Sequence, residues 1–211
     1  TASMFDIAHF PLFLAASLAV NLTPGPDMLY VATRGAAQGR GAGVVSALAI
    51  GFGTLFHIAA AALGLSAVLL ASAEAFSLIK WAGAAYLVGI GVKSILEATR
   101  PLHESRLSVE PLSRIFRRGV VVNLLNPKVA LFFLSFLPQF ASPEPDRFAR
   151  EVVFLGLVFN AGGVLVNSLV GMFCGWAGKR LLRGRARAIQ SRVSGAIFVG
   201  LGLSLGLAGR E

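Results

Sequence analysis

Residues 21–27 read Asn-Leu-Thr-Pro-Gly-Pro-Asp, and residues 123–128 read Asn-Leu-Leu-Asn-Pro-Lys. Each segment lies in an apolar stretch, and in each an asparagine is followed by a proline and then by a charged residue. A proline inside a helix removes a backbone N–H donor and clashes with the preceding turn. The two segments therefore predict two apolar helices that are broken, one at Pro24–Pro26 and one at Pro127.

Apolar residues dominate the rest of the chain. Of its 211 residues, 55% are hydrophobic and 14% are charged, and the mean hydropathy is +0.74. A soluble domain has about 25% charged residues, and a disordered chain is poor in large apolar residues, so both classes are excluded. The chain is predicted to be an all-α polytopic membrane protein. Its single cysteine, Cys174, excludes an intrachain disulfide.

Six apolar segments are long enough, or nearly so, to cross a bilayer, which takes about 20 residues. Lys and Arg at the ends of such segments can extend their charges to the interface. The predicted spans lie at 7–26, within 41–73, between Lys80 and Lys93, and at 119–140, 152–178 and 193–209.

The distribution of basic residues predicts the orientation. Of the 19 Lys and Arg residues, 14 fall in the loops after the first, third and fifth helices, beginning with Arg34 and Arg40. Four lie on the opposite side, and Lys128 lies within the membrane. Basic loops remain in the cytoplasm, so both termini are expected on the other side. Because topology explains the net charge of +9, no nucleic-acid partner is expected.

A polar connector at 99–118 divides the chain, taken as one membrane domain over 1–211, into two blocks of three helices at 5–98 and 119–211. An odd number of helices in each block means that the second block is inverted relative to the first. Inverted repeats are a recurring transporter architecture, in which the substrate site lies where broken helices meet near the membrane centre.

The two segments quoted above contain the two charges predicted to lie deepest in the membrane. Asp27 lies seven residues before Arg34, and Lys128 lies ten residues after Arg118. At 1.5 Å per residue, both are roughly 10–15 Å inside the cytoplasmic boundary. Charged residues inside a membrane usually face a functional interior and pair with one another, so we expect Asp27 and Lys128 to share one central cavity.

Several motifs together resemble the lysine exporter (LysE/RhtB) family. They are the segments 21–27 and 123–128, Arg-Gly-Ala-Ala-Gln-Gly-Arg-Gly at 34–41, Gly-Ala-Ala-Tyr-Leu at 83–87 and Phe-Leu-Pro-Gln-Phe at 136–140. The resemblance extends over nearly the whole chain. It implies a multi-pass exporter in the bacterial inner membrane, acting on amino acids or related small amphiphiles and driven by the proton gradient. In such a membrane, the orientation predicted from the basic loops places both termini in the periplasm.

The two breaks then predict how an amino acid binds. A broken helix exposes carbonyls on one side of the break and N–H groups on the other. The substrate ammonium is expected near Asp27 and the carbonyls of Val20–Thr23, and its carboxylate near Lys128. The predicted substrate-binding residues are Asn21, Pro24, Gly25, Pro26, Asp27, Asn123, Asn126, Pro127 and Lys128.

Other polar residues and glycines in the spans are candidates for coupling or for helix packing, and His57 has two interpretations. Histidine as a residue type can change its charge near neutral pH, so His57 is a candidate, with Asp27, for carrying coupling protons; alternatively it is a neutral side chain bonded to a neighbouring helix. Asn160 and Asn167 lie on one face of the fifth helix, where hydrogen bonds between helices are the expected role. Gly35xxxGly39 and Gly171xxxGly175 indicate close helix packing, and Gly202xxxGly206 could form a homodimer seam.

Other functions fit less well. A membrane enzyme needs a nucleophile beside a base, or a cluster of metal ligands, and the spans contain neither an acidic cluster nor an HExxH motif. No catalytic residue, metal site or cofactor is therefore predicted. A channel would need a repeated selectivity filter, and none is visible. An importer of similar small solutes remains an open alternative, because direction is set by gradients and coupling.

Overall fold

The computed structural model describes residues 10–65, 109–142 and 144–177, together with isolated helical positions at 78–96 and 196–203. Within these residues every regular element is a helix, which confirms the predicted all-α class. The helices are α1 Phe10–Leu22, α2 Pro26–Gln38, α3 Arg40–Ala60, α4 Leu112–Leu124, α5 Pro127–Leu131 and α6 Pro145–Ala177. Helix α3 continues into a π-helical turn at Ala61–Leu65, and α5 continues through Phe132–Phe136 into a 3-10 turn at Leu137–Phe140.

Two helices among the described residues are long and apolar enough to cross a membrane, Arg40–Gly64 with 25 residues and Arg147–Ala177 with 31. Leu112–Leu124 and Pro127–Phe140 count as a third if the bent pair is one span. The predicted third and sixth spans, Tyr86, the Gly202xxxGly206 pair and the chain ends fall largely outside the described residues. The count of six, the inverted repeats and the orientation therefore stay predictions.

Both predicted breaks are present. Helix α1 ends at Leu22, and Gly25 is extended (φ −149°, ψ −172°) before Pro26 begins α2. In the second break, the Asn126 side chain accepts a hydrogen bond from the Lys128 backbone N–H at 3.0 Å, and Pro127 begins α5. Proline is favourable at the first helical position, where its missing N–H is not needed. The chain axis bends by 46° at this second break.

Two predicted loop segments are helical instead. Arg34, expected in a loop, lies in α2 and is 3% exposed, because its guanidinium pairs with the carboxylate of Glu110. Helix α4 begins at Leu112, within the predicted connector 99–118. Its first turns are amphipathic, with Ile115 buried and the arginines Arg114 and Arg117 exposed. These exposed charges are the reason why the sequence of this segment resembles that of a polar loop.

Glycines bring α2, α3 and α6 into backbone contact. A Cβ atom added at Gly43 would lie 2.6 Å from the carbonyl oxygen of Gly171, and one added at Gly35 would overlap the same oxygen. A Cβ at Gly175 would lie 2.5 Å from the backbone nitrogen of Arg40. Only glycine permits this approach, so the predicted packing role of Gly35 and of the Gly171xxxGly175 motif is confirmed.

Phenylalanines fill the core beside these contacts. The ring of Phe132 stacks on that of Phe159 with centroids 4.3 Å apart, and Phe133 meets Phe159 edge-on at 5.5 Å. The outer surface is apolar as well, which suits contact with lipid. Its exposed large side chains include Leu12, Leu18, Leu48, Phe52, Phe56, Leu165 and Leu169.

Glu110 joins the start of α4 to α2. Its carboxylate accepts hydrogen bonds from Arg34, at 2.9 Å, and from Arg118. Its backbone N–H and C=O both bond the side-chain amide of Gln38, at 3.1 and 2.9 Å. Burial raises the pKa of Glu110, but the hydrogen bond and charge of Arg34, with the charge of Arg118, outweigh it and hold this pKa below its usual 4.5.

We predict that Gly43→Ala destabilises the protein while Gly41→Ala does not. The added methyl at residue 43 would overlap the α6 backbone, and overpacking of this kind costs about 1–3 kcal/mol. A Cβ at Gly41, on the same helix, meets nothing within 4 Å. Thermal unfolding of the two purified variants in detergent compares them directly. Equal melting temperatures would contradict the close contact between α3 and α6.

We also predict a pH-dependent effect of Glu110→Gln. Because the pKa of Glu110 is lower in the folded protein than in the unfolded chain, its stabilisation is present above pH 4.5 and disappears as the pH falls through the folded pKa. The melting temperature of the variant should therefore lie below that of the wild type at neutral pH and converge on it in acid. The exposed Glu144→Gln is the matched control. A difference independent of pH would refute this assignment.

Candidate functional site

The break before α2 and the break before α5 meet at one cavity of about 20 Å³. Asp27 and Lys128 both line it, as their matched depth in the sequence predicts. They are 4% and 7% exposed. Helices α3 and α6 complete the walls with mainly small or apolar residues. The polar lining residues are Asn21, Asp27, Thr54, Lys128, Asn160 and Asn167.

The ammonium group of Lys128 lies at the end of α1. Its Nζ donates hydrogen bonds to the carbonyl oxygens of Thr23, at 2.8 Å, and Val20, at 3.2 Å. These carbonyls were predicted to receive a substrate ammonium; in the structure they accept from Lys128 instead. The carboxyl end of a helix is negative, so it is a favourable position for a cation from the neighbouring break.

Gly25 allows the lysine to reach this position. A Cβ atom at residue 25 would lie 3.3 Å from both Cε and Nζ of Lys128. Such a separation is tighter than ordinary van der Waals contact. Gly25 therefore has a steric role in the site as well as its place in the break.

Asp27 faces Lys128 from the first turn of α2. Its Oδ2 accepts a hydrogen bond from Asn123 Nδ2 at 2.9 Å. Its Oδ1 is buried and has no hydrogen-bond partner among the residues that the structure describes. A buried carboxylate oxygen without a donor is costly, so this atom is available to a ligand or a water molecule in the cavity.

Asn123 connects His57 to Asp27. The Nε2 atom of His57 lies 3.1 Å from the carbonyl oxygen of Asn123, and since a carbonyl can only accept, the ring nitrogen donates. Thr54 Oγ1 donates to Asn123 Oδ1 at 3.4 Å. His57 thus makes the bond to a neighbouring helix that its structural interpretation requires. Asn123 also bonds Asp27, so this one residue lies between His57 and Asp27.

The other predicted residues have distinct positions. Asn21 lines the cavity and donates to the carbonyl oxygen of Phe159 at 3.1 Å. Asn126 caps α5, and its Nδ2 is buried without a partner in the described ranges. Pro24 and Pro26 flank the first break, and Pro127 follows the second.

The contribution of two α6 asparagines to the cavity lining was not predicted from the sequence. Asn160 and Asn167, expected mainly to join helices, line the cavity with Asp27 and Lys128. Asn167 is 7% exposed, and its Oδ1 has no hydrogen-bond partner among the described side chains and backbone. Their seven-residue spacing, which places two amides on one helix face, was the available signal.

Comparison with known proteins gives a consistent set of relatives. The sequence model of the LysE type translocator family matches residues 18–209. The chain is 31% identical over 212 residues to an uncharacterized membrane protein of Pseudomonas aeruginosa, covering 96% of each. It is 30% identical over 141 residues to the homoserine/homoserine lactone efflux protein of Salmonella typhimurium, covering 67% of this chain and 68% of that protein.

A further relative, the leucine efflux protein of Enterobacter sp., is 25% identical over 206 residues, with 95% of this chain and 96% of that protein covered. No solved structure matches the chain. The family match includes both broken segments and the two charged residues of the cavity. The protein is therefore a transmembrane transporter and not an enzyme, and it belongs to the LysE type translocator family.

Proposed function

We propose that this protein is a secondary active transporter that exports amino acids, or related small amphiphiles, across the bacterial inner membrane in exchange for protons. The main support is the presence of one buried carboxylate and one buried ammonium on a single cavity between two broken helices. An amino-acid zwitterion has the complementary pair of charges. Relatives named for homoserine/homoserine lactone efflux and for leucine efflux agree with this substrate class.

In the proposed binding mode, the substrate carboxylate faces Lys128 and the N-terminus of α5, and the ammonium faces Asp27 and the end of α1. Asn21, Asn123 and Asn126 would supply the remaining polar contacts, as their positions beside the two charges allow. Pro24, Gly25, Pro26 and Pro127 would hold the backbone breaks open to the substrate.

The cavity must widen to accept such a substrate. Its volume of about 20 Å³ is enough for one water molecule and too small for an amino acid. Separation of the half-helices on either side of a break would enlarge it. Alternating access in transporters with inverted repeats uses motions of one half against the other, and we include the repeats 5–98 and 119–211 in the proposal.

The proposal also contains the orientation, with both termini in the periplasm and the connector 99–118 in the cytoplasm. The excess of basic residues on the connector side supports it. A homodimer through Gly202xxxGly206 belongs to the same proposal, although both glycines lie outside the described residues.

For the coupling protons, we propose Asp27 and His57 as the groups that bind and release them. His57 bonds the backbone carbonyl of Asn123, and the side chain of Asn123 bonds Asp27, so one residue contacts both groups. Histidine changes its charge near physiological pH, and Asp27 is the carboxylate that the substrate ammonium would contact. Proton binding and substrate binding would then compete at Asp27.

Asp27→Asn should weaken substrate binding. A hydrogen bond to a charged group is worth about 1.5–3 kcal/mol, so the affinity for the substrate ammonium should fall about tenfold to a hundredfold. Counterflow of radiolabelled homoserine and leucine in proteoliposomes measures this without a driving gradient. The control is Glu144→Gln, which removes an exposed carboxylate. Normal counterflow by Asp27→Asn would exclude the proposed site.

His57→Gln should separate coupling from binding. Glutamine retains a donor for the Asn123 carbonyl but does not titrate, so counterflow should continue while acceleration by a pH gradient is lost. The two assays use the same proteoliposomes, with and without the gradient. If acceleration persists in the variant, His57 has only the structural role of bonding α3 to α4.

A further inference from the structure

We propose that the carboxyl end of α1 and the carboxylate of Asp27 form a site for a primary ammonium ion, which the side chain of Lys128 fills as a covalently attached substitute for a substrate ammonium. Binding of a zwitterion would then be an exchange. The substrate ammonium takes the place of the Lys128 ammonium, and the released Lys128 turns to the substrate carboxylate. The identity of the exchanged ligand rests on the proposed function; the cation site does not.

The sequence creates this site by removing backbone donors. In an uninterrupted helix, the carbonyl of Val20 would accept the N–H of residue 24, but residue 24 is proline and has none. The carbonyl of Thr23 would accept the N–H of Asp27 in a helix, but the extended Gly25 interrupts the helix between them. The Val20 carbonyl accepts the Thr23 N–H at 3.2 Å and has a second lone pair. Both carbonyl oxygens, at the negative end of α1, accept hydrogen bonds from Nζ of Lys128.

The position of Lys128 is unfavourable without such a site. It is the second residue of α5, where the helix dipole disfavours a positive charge. Its side chain is 7% exposed, so water does not compensate the ammonium. The two carbonyls of α1 and the nearby charge of Asp27 are what stabilise it. A lysine placed against its own helix dipole and bonded to a different helix end indicates a site that recognises ammonium.

Asp27 supplies an independent sign of a ligand. Asp27 lines the same cavity, and its Oδ1 is buried without a hydrogen-bond partner of good geometry in the part of the chain that the structure describes; the Asn126 amide, with its own Nδ2 unpaired, is a neighbouring polar group. A primary ammonium has three N–H donors, and two of those on Lys128 are assigned to Val20 and Thr23. Nζ of Lys128 bonds these carbonyls without forming an ion pair with Asp27. A free substrate ammonium, which is not tethered to α5, would lie nearer to Asp27 and donate its third N–H to Oδ1.

The exchange also preserves the charge balance of the cavity. Asp27 and Lys128 contribute one negative and one positive charge, and an added zwitterion contributes one of each. After the exchange the substrate ammonium faces Asp27, and the substrate carboxylate faces Lys128, so each buried charge has an opposite partner. Leaving a buried charge unpaired is the expensive alternative.

Lys128→Ala tests the site directly, because alanine keeps Cβ and removes the four atoms that n-propylammonium would replace. We expect n-propylammonium to raise the melting temperature of the purified full-length variant saturably, with an affinity at least about tenfold above that of the wild type, about 1.4 kcal/mol. Tetramethylammonium has no N–H and should have no effect. The matched control is Arg117→Ala, which removes an exposed cation from α4 and should respond as the wild type does.

Each result decides the question. If Lys128→Ala is recovered folded only in the presence of n-propylammonium, the proposal is supported, since the free amine then replaces the missing side chain. If the variant shows no stabilisation by n-propylammonium, or remains aggregated with it, the proposal is overturned. Loss of the response in the double variant Asp27→Asn/Lys128→Ala is also expected. Because no amino acid is used, failure of the transport assays would refute the proposed function without affecting this outcome.

Discussion

The contact between the Lys128 ammonium and the carbonyl end of α1 is the interaction on which the site depends. Prolines interrupt two helices in an apolar environment, and each interruption leaves backbone groups without partners. Lys128 bonds the carbonyls left by the first break, and Asn126 caps the helix that follows the second. The two breaks therefore stabilise one another, and their contact holds Asp27 and Lys128 on the same cavity.

Glycine and proline have complementary functions in this arrangement. Pro24 and Pro26 lack the N–H groups that continuous helical hydrogen bonding would need. Gly25, between the two prolines, has no side chain and leaves space for that of Lys128. Farther along α2 and α3, Gly35 and Gly43 allow α6 to approach until backbone touches backbone. That approach brings the asparagine face of α6 against the cavity. The rigid glycine contacts thus fix the wall of the site, while the breaks provide the positions at which the backbone can change direction.

What could be predicted from the sequence follows from local chemistry. A proline breaks a helix regardless of its neighbours, and a charge in an apolar segment requires a partner, so both breaks and the shared cavity of Asp27 and Lys128 were accessible. The hydrogen-bond partners of Lys128 could not be predicted, because they are backbone carbonyls 105 and 108 residues away and nothing in the local sequence identifies them. Arg34 was misplaced for the same reason, since its burial depends on Glu110, 76 residues later.

A transporter must compensate its buried charges both with substrate bound and without it. A direct ion pair between Asp27 and Lys128 would be neutral but would have to be broken by each substrate. In the structure the two groups instead have separate polar partners, the α1 carbonyls for the ammonium and Asn123 for the carboxylate. Hydrogen bonds of this kind contribute only about 1.5–3 kcal/mol each, so a zwitterion that offers a full charge to both groups can replace or supplement them without leaving either group buried alone.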